Sequence, residues 1–495
     1  MKTSDDIRTP DTPVAQSPES QAKPGLAASD TNALTTPSDH PAARNSTELL
    51  NLFGRRRNPE LDLSKLPDFL CRYLELACQN TDARPGLLMT AFLPFCSVNL
   101  GSRVYMINKA LKIYPNLWTC VIGRSGITRK TTALRYAGYT LQPYVAELRK
   151  NPVEFYDENT PLLNAVTLSK LMSYLSVNST RLFVHHELSG WLLEMNKGYN
   201  AGYKQAITEL YDGVDRTVAT QQRSEHILAP ALSIAAASTE SWLYANVGSR
   251  AEQLGGFLQR MLFFVVRDID PASIDLSFRP STDLEHELEL FEREYFRYWR
   301  EIPEDQELRV NEDVRELRDA LLTERYRKWL RYDSDTLMSY FTRVYDGHWF
   351  KFCILITLAR FKDELAEALR THTISQFFYD CRVDMDIALQ AFYLYDFYLE
   401  NTPAILDLLD EQDKLSGERR IIEVLVNKFN GRATHSALMN SVHMRKKEFR
   451  ENIESLIERE AIRVETVLSR NNKPCRLYVL DGELLTSWKS AALST

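Results

Sequence analysis

The chain has 495 residues, of which 44% are hydrophobic and 26% are charged, and its formal net charge is −7. This length exceeds one ordinary hydrophobic core, so we expect two or three folded units of a globular protein. The acidic balance excludes a uniformly basic coat for nucleic acid, although a local basic patch remains compatible with it.

The seven cysteines show no CxxC or other metal-ligand spacing, and most of them lie in apolar runs. Buried, reduced thiols are the expected interpretation, as in a reducing cytosol. No apolar run reaches membrane-spanning length, and the N-terminus lacks the apolar core of a signal peptide. The sequence therefore predicts a soluble, cytoplasmic protein with no membrane partner.

Residues 1–45 are rich in Pro, Ser, Thr, Asp and Ala and contain no Phe, Trp or Tyr. Such a segment cannot bury enough apolar surface to offset its ordering entropy, so we predict a disordered tail. Helical spacing of apolar residues begins at "LPDFLCRYLELACQNT", and "PGLLMTAFLPFCSVNLG" predicts a second, wholly buried helix.

Four short apolar runs predict buried strands: "LWTCVIG", "RLFVHHE" (181–187), "ALSIAAAST" (231–239) and "RMLFFVV" (260–266). Helical or loop sequence separates them. Strands that alternate with helices predict a three-layer α/β unit with a parallel sheet, which we place at residues 46–281.

The character of the sequence changes after residue 281. Amphipathic helices follow one another over residues 282–410, with no strand expected before residue 460. Residues 417–481 predict a separate unit of three helices and a β-hairpin, the element order of a winged helix, and 482–495 form a tail. This small unit carries 13 Lys and Arg against 9 Asp and Glu, so it is locally basic.

The stretch "VIGRSGITRKTTALR", residues 121–135, has the layout of a phosphate-binding loop: a strand, a glycine-containing turn and a helix start. Such a loop needs a lysine for the β- and γ-phosphates and a neighbouring hydroxyl for Mg²⁺. Lys130 supplies the cation and Thr131 the hydroxyl. Arg129 occupies the place of the usual last glycine, in a loop one residue longer than G-x-x-x-x-G-K-[ST]. An ordinary strand–turn–helix connection is the alternative. The candidates for binding ATP and Mg²⁺ are Gly123, Ser125, Gly126, Lys130, Thr131 and Thr132.

A candidate acid follows the second predicted strand. Phosphate-loop ATPases place an acid pair there, whose first member steadies hydrated Mg²⁺ and whose second polarises the attacking water. Glu187 suits the second role, whereas His186 stands in place of the first acid, and a neutral imidazole is a poor partner for hydrated Mg²⁺. A transition-metal site made by His185 and Glu187 is a rival interpretation, since alternate strand residues share a face. A merely structural pair of histidines is a further one.

Two later residues complete an ATPase-like series. Ser238 lies at the end of the third strand, where a sensor of the γ-phosphate is expected, and Arg260 lies just before the last strand. In oligomeric AAA+ ATPases an arginine at this place reaches the neighbouring subunit's site. Each residue alone has a plain explanation, as a helix cap or a surface charge. The order of Lys130, Glu187, Ser238 and Arg260 together predicts a catalytic set in a ring-shaped homo-oligomer.

The chain resembles the bacterial and phage DUF3987 proteins from about residue 65 to 405, on "NLWTCVIGRSGITRKTTAL", "RLFVHHELSGWL", "AITELYDGVD", "ALSIAAASTESWL" and "GGFLQRMLFFV". These proteins are phosphate-loop ATPases often associated with primase–helicase genes of mobile elements. The resemblance implies a P-loop NTPase fold (AAA+/RecA-like) with a helical lid subdomain and a role in DNA replication. Relatives carry an Asp-Glu pair that this chain matches only at Glu187.

Basic residues cluster in the predicted winged helix. In winged helices the third helix enters the major groove, and its first residues lie nearest the bases and phosphates. Protein–protein contact is the alternative use of such a unit. The candidates for DNA binding are Arg445, Lys446, Lys447 and Arg450 on the helix and Arg470, Lys473 and Arg476 on the wing.

Two functional classes follow. The first is an oligomeric helicase or helicase-loader ATPase that grips DNA with its winged helix. The second is a DNA-bound nucleotide switch or regulator with weak or no turnover, which His186 favours. A catalytically dead scaffold is a third interpretation.

Overall fold

The computed structural model describes residues 61–149, 161–163, 167–195, 202–219, 224–240, 243, 256–266, 281, 283–330, 337–442, 444–468, 474–482 and 485, and within these ranges the side chains of 147–149, 219, 328–345, 403, 406–416 and 419 are outside the description. The chain divides into two units, 1–43 and 44–495, and every described residue belongs to the second. The predicted tail at 1–45 lies outside the described residues.

Two helices begin the described chain. Helix α1 (Asp68–Cys78) buries the face on which its apolar residues recur at three- and four-residue steps. Helix α2 (Pro85–Leu100) is buried at every residue after Pro85, as its continuous apolar sequence predicts. It runs through the centre of the main core and contacts the strands of the largest sheet.

The largest sheet has five strands, all parallel, in the spatial order β4-β5-β8-β3-β9. Four of these strands are the predicted ones, and their residues are almost all buried because helices cover both faces. The strands are β3 (Trp118–Gly123), β4 (Leu162–Leu163), β5 (Thr180–His185), β8 (Ala231–Ser238) and β9 (Met261–Val266).

Helices cross over between these strands. Helix α3 follows β3 and α6 follows β5, so both begin at the carboxyl edge of the sheet. A mixed α/β architecture with a parallel sheet is therefore confirmed. The crossover helices are α3 (Lys130–Tyr139), α4 (Gln142–Arg149), α5 (Leu168–Val177), α6 (Leu188–Met195) and α7 (Tyr203–Tyr211).

Several short strands were not predicted from the sequence. The expectation of no strand between 282 and 460 is wrong, because β10, β11, β12 and β13 lie there; strands of two or three residues carry no measurable alternation. Strand β10 extends the β1–β2 hairpin, β11 pairs with β12, and β6 pairs with β7. Their bounds are β1 (Val104–Asn108), β2 (Leu111–Ile113), β6 (Arg216–Ala219), β7 (Ser224–Ile227), β10 (Gln306–Glu307), β11 (Arg309–Val310), β12 (Arg382–Val383) and β13 (Arg432–Thr434).

Apart from these short strands, the described residues between 283 and 429 are mainly helical, as predicted. The helices are α8 (Leu284–Tyr295), α9 (Glu312–Leu330), α10 (Leu337–Arg360), α11 (Lys362–Arg370), α12 (Ile374–Asp380) and α13 (Met385–Phe429). Helix α13 is one continuous helix of 45 residues where two separate helices were expected. Gly417 lies inside it, and a Cβ there would meet the Asn452 carboxamide at 2.5 Å, so the glycine allows close packing and does not end the helix.

Helix α13 connects two hydrophobic clusters. Its first part contributes to the main core as far as Ile405, and its last part contributes to a second cluster from Ile421 onward. Around the second cluster lie α14 (His435–Val442), α15 (Lys446–Glu458) and an antiparallel sheet in the order β13-β15-β14, in which β14 (Ile462–Leu468) pairs with β15 (Pro474–Leu480). Among the described residues, no helix combines the length and apolar composition needed to cross a membrane.

A buried lysine joins α10 to the base of β3. Lys351 is 3% exposed, and its Nζ donates to the carbonyl oxygen of Asn116 at 2.8 Å and to Asn116 Oδ1 at 2.7 Å. The ammonium group also lies 4.0 Å from the ring centroid of Tyr211. Desolvation lowers the pKa of Lys351 from 10.5 to about 7; the nearby Asp212 charge opposes this shift and the Arg260 charge adds to it.

This lysine makes stability depend on pH. Between the folded pKa of about 7 and the unfolded value of 10.5, the unfolded chain binds a proton that the folded protein has lost, so this residue's contribution to stability rises with pH in that window. We expect the urea midpoint of wild type, measured relative to that of Lys351→Met, to rise from about pH 7 to about pH 10. Parallel pH profiles for the two proteins would contradict the assignment.

Candidate functional site

The predicted phosphate loop connects the carboxyl end of β3 to the start of α3. Gly123 ends the strand, and a Cβ at this position would meet Thr128 Cγ2 at 2.8 Å, so only glycine fits the loop as it folds back. Gly126 has a φ of 78°, the left-handed region that favours glycine. Thr128 Oγ1 donates to the Arg124 carbonyl at 2.8 Å and so closes the turn, while Ser125 is exposed at its tip.

Arg129 occupies the place of the missing glycine and takes a glycine-like conformation. Its φ of 57° and ψ of 25° lie in the left-handed region, at the residue immediately before the first turn of α3. Its Nε donates to Asp82 Oδ1 at 2.7 Å, and the same contact raises the pKa of the arginine. The loop therefore leads into α3 at Lys130 with a left-handed arginine immediately before the helix.

Lys130 is buried at the base of the loop. Its Nζ donates to the Gly123 carbonyl at 2.5 Å and lies 3.5 Å from Thr128 Oγ1. Burial lowers the pKa of Lys130, and the negative charge of Glu187 opposes that shift. Thr131 is exposed and Thr132 half-buried in the first turn of α3, so the Thr131 hydroxyl is accessible beside the lysine.

Glu187 and Ser238 meet at the same edge of the sheet. Strands β5 and β8 are paired as far as His185 and Ala236. Glu187 and Ser238 each lie two positions after these paired residues in the chain. Ser238 Oγ donates to Glu187 Oε1 at 2.6 Å, and Ser189 Oγ donates to the same oxygen at 2.7 Å. The two hydroxyl oxygens lie 2.6 Å apart, and both serines are fully buried.

The two histidines before Glu187 have different environments. His185 stacks on Phe183 and on Trp191, with ring centroids 4.3 Å and 4.4 Å away, and those two rings lie 4.9 Å from each other. Burial lowers the pKa of His185 to about 3. It belongs to an aromatic stack in the core. His186 is exposed beyond the end of the strand. No group of three or more metal-ligating side chains is assembled among the described residues, so they give no support to the transition-metal interpretation.

Arg260 lies at the amino ends of the sheet strands, whereas the loop lies at their carboxyl ends. The register pairs Trp118 with Met261 and Gly123 with Val266, so Arg260 precedes the amino end of β9. A six-residue strand spans roughly 20 Å, which places this arginine beyond reach of its own loop. Its Nε and Nη2 donate to the Asp212 carboxylate at 3.2 Å and 2.7 Å, and Nη1 donates to the Gly256 carbonyl at 2.9 Å.

The structure thus brings Lys130, Glu187 and Ser238 together and keeps Arg260 apart. Ser189, Asp82 and Asp212 were not predicted from the sequence. Ser189 lies two residues after Glu187, and that spacing was a usable signal. The aspartates are distant in sequence from the arginines they pair with, and no local pattern marks such contacts.

Most of the basic candidates of the C-terminal unit are exposed. Arg445, Lys446, Lys447 and Arg450 lie at the start of α15, whose first turn also contains Glu448, and the last turn of the helix carries no basic residue. Lys447 is 90% exposed and lies 3.9 Å from Glu451. Arg476 is exposed on β15. The remaining candidates, Arg470 and Lys473, lie outside the described residues.

Comparison with known proteins identifies no family for this chain. No protein-family model matches the chain, and no curated protein matches it in sequence. The resemblance to DUF3987 proteins therefore stays a prediction.

Proposed function

We propose that this protein is a P-loop ATPase that binds Mg-ATP at the carboxyl edge of the five-stranded sheet and couples hydrolysis to DNA. The observation that carries the proposal is the convergence of Lys130, Glu187 and Ser238 at that edge. The pairing of Ile122 with Ser238 and the hydrogen bond from Ser238 to Glu187 join elements far apart in sequence, which supports one common site over an isolated turn.

The topology supports the same place. The connection after β3 runs past β8 and β5 to β4, whereas the connection after the neighbouring strand β8 runs past β3 to β9. Open α/β sheets bind ligands in the crevice where the connections from adjacent strands run in opposite directions. The loop before α3 lies at this crevice, and the start of a helix of ten residues favours a bound phosphate group.

Each residue has a chemical role in this proposal. Lys130 neutralises phosphate charge, and Thr131 offers the protein's hydroxyl ligand to Mg²⁺, which when bound offsets the charge of the phosphates. Glu187 orients and polarises the attacking water as general base. Ser238 and Ser189 hold the Glu187 carboxylate and set its direction.

A nucleotide switch with weak turnover is the second candidate function. Two observations favour it. His186 is exposed where ATPases of this class place the first acid, and the Glu187 carboxylate accepts hydrogen bonds from two buried hydroxyls. Hydrolysis requires that the carboxylate exchange one of these contacts for water.

We expect purified protein to hydrolyse Mg-ATP and DNA to stimulate the rate. Lys130→Ala should abolish nucleotide binding, whereas Glu187→Gln should keep binding and lower kcat by about 10²- to 10⁴-fold, the usual contribution of a general base. Steady-state rates and equilibrium binding of a fluorescent ATP analogue separate the two effects. Equal rates of ATP hydrolysis for wild type and Lys130→Ala would contradict the proposed ATPase activity. Binding without turnover in the wild type, with or without DNA, would identify the switch.

We further propose that Arg260 acts in the site of a second copy of the chain, in a homo-oligomeric ring of the helicase or helicase-loader type. Its position at the amino edge of the sheet supports action in trans. Lys130→Ala and Arg260→Ala should each be inactive alone, and mixing them should restore part of the ATPase rate. In a mixed oligomer an intact loop then meets an intact arginine. A mixture as inactive as its components would contradict action in trans.

The C-terminal unit, 417–481, is proposed as a winged helix that binds DNA through the start of α15. The exposed basic cluster at Arg445–Arg450 and the short connection between α14 and α15 support this. Lys446→Ala/Lys447→Ala should weaken DNA binding and reduce the slope of log K against log salt by about 2, since each phosphate contact contributes about 0.9. Arg370→Ala, an exposed arginine outside this unit, is the control. An unchanged slope would exclude these lysines from the interface.

A further inference from the structure

The phosphate loop has two residues in the left-handed backbone region, and only one of them is glycine. Gly126 takes this conformation without a steric penalty, and nothing lies within 4 Å of the position that a Cβ would occupy. Arg129 has a Cβ, and for an L residue the left-handed conformation is disfavoured by a factor of roughly five to thirty. Some interaction must therefore hold Arg129 in place.

The ion pair with Asp82 is that interaction. The Arg129 Nε and Asp82 Oδ1 atoms lie 2.7 Å apart, and the Asp82 side chain is only 9% exposed, against 33% for the arginine. A carboxylate with so little access to water is costly to leave without its cation. The ion pair with Asp82 thus favours the left-handed backbone conformation of Arg129, in which the guanidinium group contacts the Asp82 carboxylate.

Asp82 is itself held in position beside α3. It lies in the connection between α1 and α2, where Asn80 Nδ2 donates to the Leu76 carbonyl at 2.8 Å. The Tyr136 hydroxyl, on α3, donates to the Asn80 carbonyl at 2.7 Å. The helix that begins at Lys130 therefore contacts the same connection that carries Asp82, so the ion pair joins two fixed elements.

We propose that Asp82 is a positioning residue of the nucleotide site. It holds Arg129 in the left-handed conformation, so that an arginine can stand where the usual phosphate loop has a glycine. Its effect on nucleotide affinity rests on the proposed function. Its effect on the loop does not, because the loop can be measured without nucleotide.

The test is a double-mutant cycle in the full chain: wild type, Asp82→Asn, Arg129→Gly and the double variant. Two quantities are measured for each protein, namely amide hydrogen exchange of the peptide 121–135 without nucleotide and the Kd for Mg-ATP. Asp82→Asn should speed exchange in the loop and raise the Kd roughly five- to thirtyfold, since the left-handed conformation loses its support. With glycine at 129 the Asp82 substitution should neither speed exchange nor raise the Kd, because glycine needs no support and the substitution removes a carboxylate that has already lost its cation.

A second pair of variants leaves Asp82 unchanged. Arg129→Ala and Arg129→Gly both remove the ion pair, yet only alanine resists the left-handed region, so the alanine variant should show the faster loop exchange. Equal exchange in these two variants, or an Asp82→Asn effect that persists with glycine at 129, would overturn the proposal. If the exchange cycle behaves as expected and wild type binds no Mg-ATP, the proposed function fails while the positioning role stands.

Discussion

Parallel pairing of β3, β5 and β8 is the constraint on which the site depends. The carboxyl ends of parallel strands meet at one edge, so the register alone delivers Gly123, Glu187 and Ser238 to neighbouring positions. Ile122 is paired with Ser238, which puts the start of the loop directly beside the serine that holds the glutamate. The same register places Arg260 at the other edge. The register of the sheet thus separates the residues proposed to act within one copy from the one proposed to act between copies.

The polar groups of the site satisfy one another. Lys130 donates to a carbonyl of its own loop, and Glu187 accepts from two serine hydroxyls, so burial of these charges is offset by local contacts. A nucleotide phosphate would compete with the Gly123 carbonyl for the ammonium group, and an attacking water would compete with the serines for the carboxylate. Under the proposed function, the strength of this second competition would decide between an ATPase and a switch, so the hydroxyls of Ser189 and Ser238 would matter as much as the exposed His186.

Much of the sheet could be predicted from the sequence, since long apolar runs bounded by polar residues define β3, β5, β8 and β9. Two-residue strands such as β11 have no pattern to detect. The continuity of α13 was not predicted, because a separate unit was expected to begin at residue 417. Gly417 instead lies inside the helix and allows close approach of Asn452, a residue of a different helix. The proximity of Lys130, Glu187 and Ser238 could be predicted from their order along the chain. The partners of Arg129 and Arg260 depend on tertiary packing, which local sequence does not encode.

The most direct test of the central claim is amide hydrogen exchange of the wild-type chain with and without Mg-ATP. We predict slower exchange in the peptide 121–135 and in the peptides that contain Glu187 and Ser238, because a bound phosphate group would order the loop and the strand ends together. Lys130→Ala should show no such protection. Unchanged exchange in these three segments at saturating Mg-ATP would contradict a nucleotide site at the carboxyl edge of the sheet.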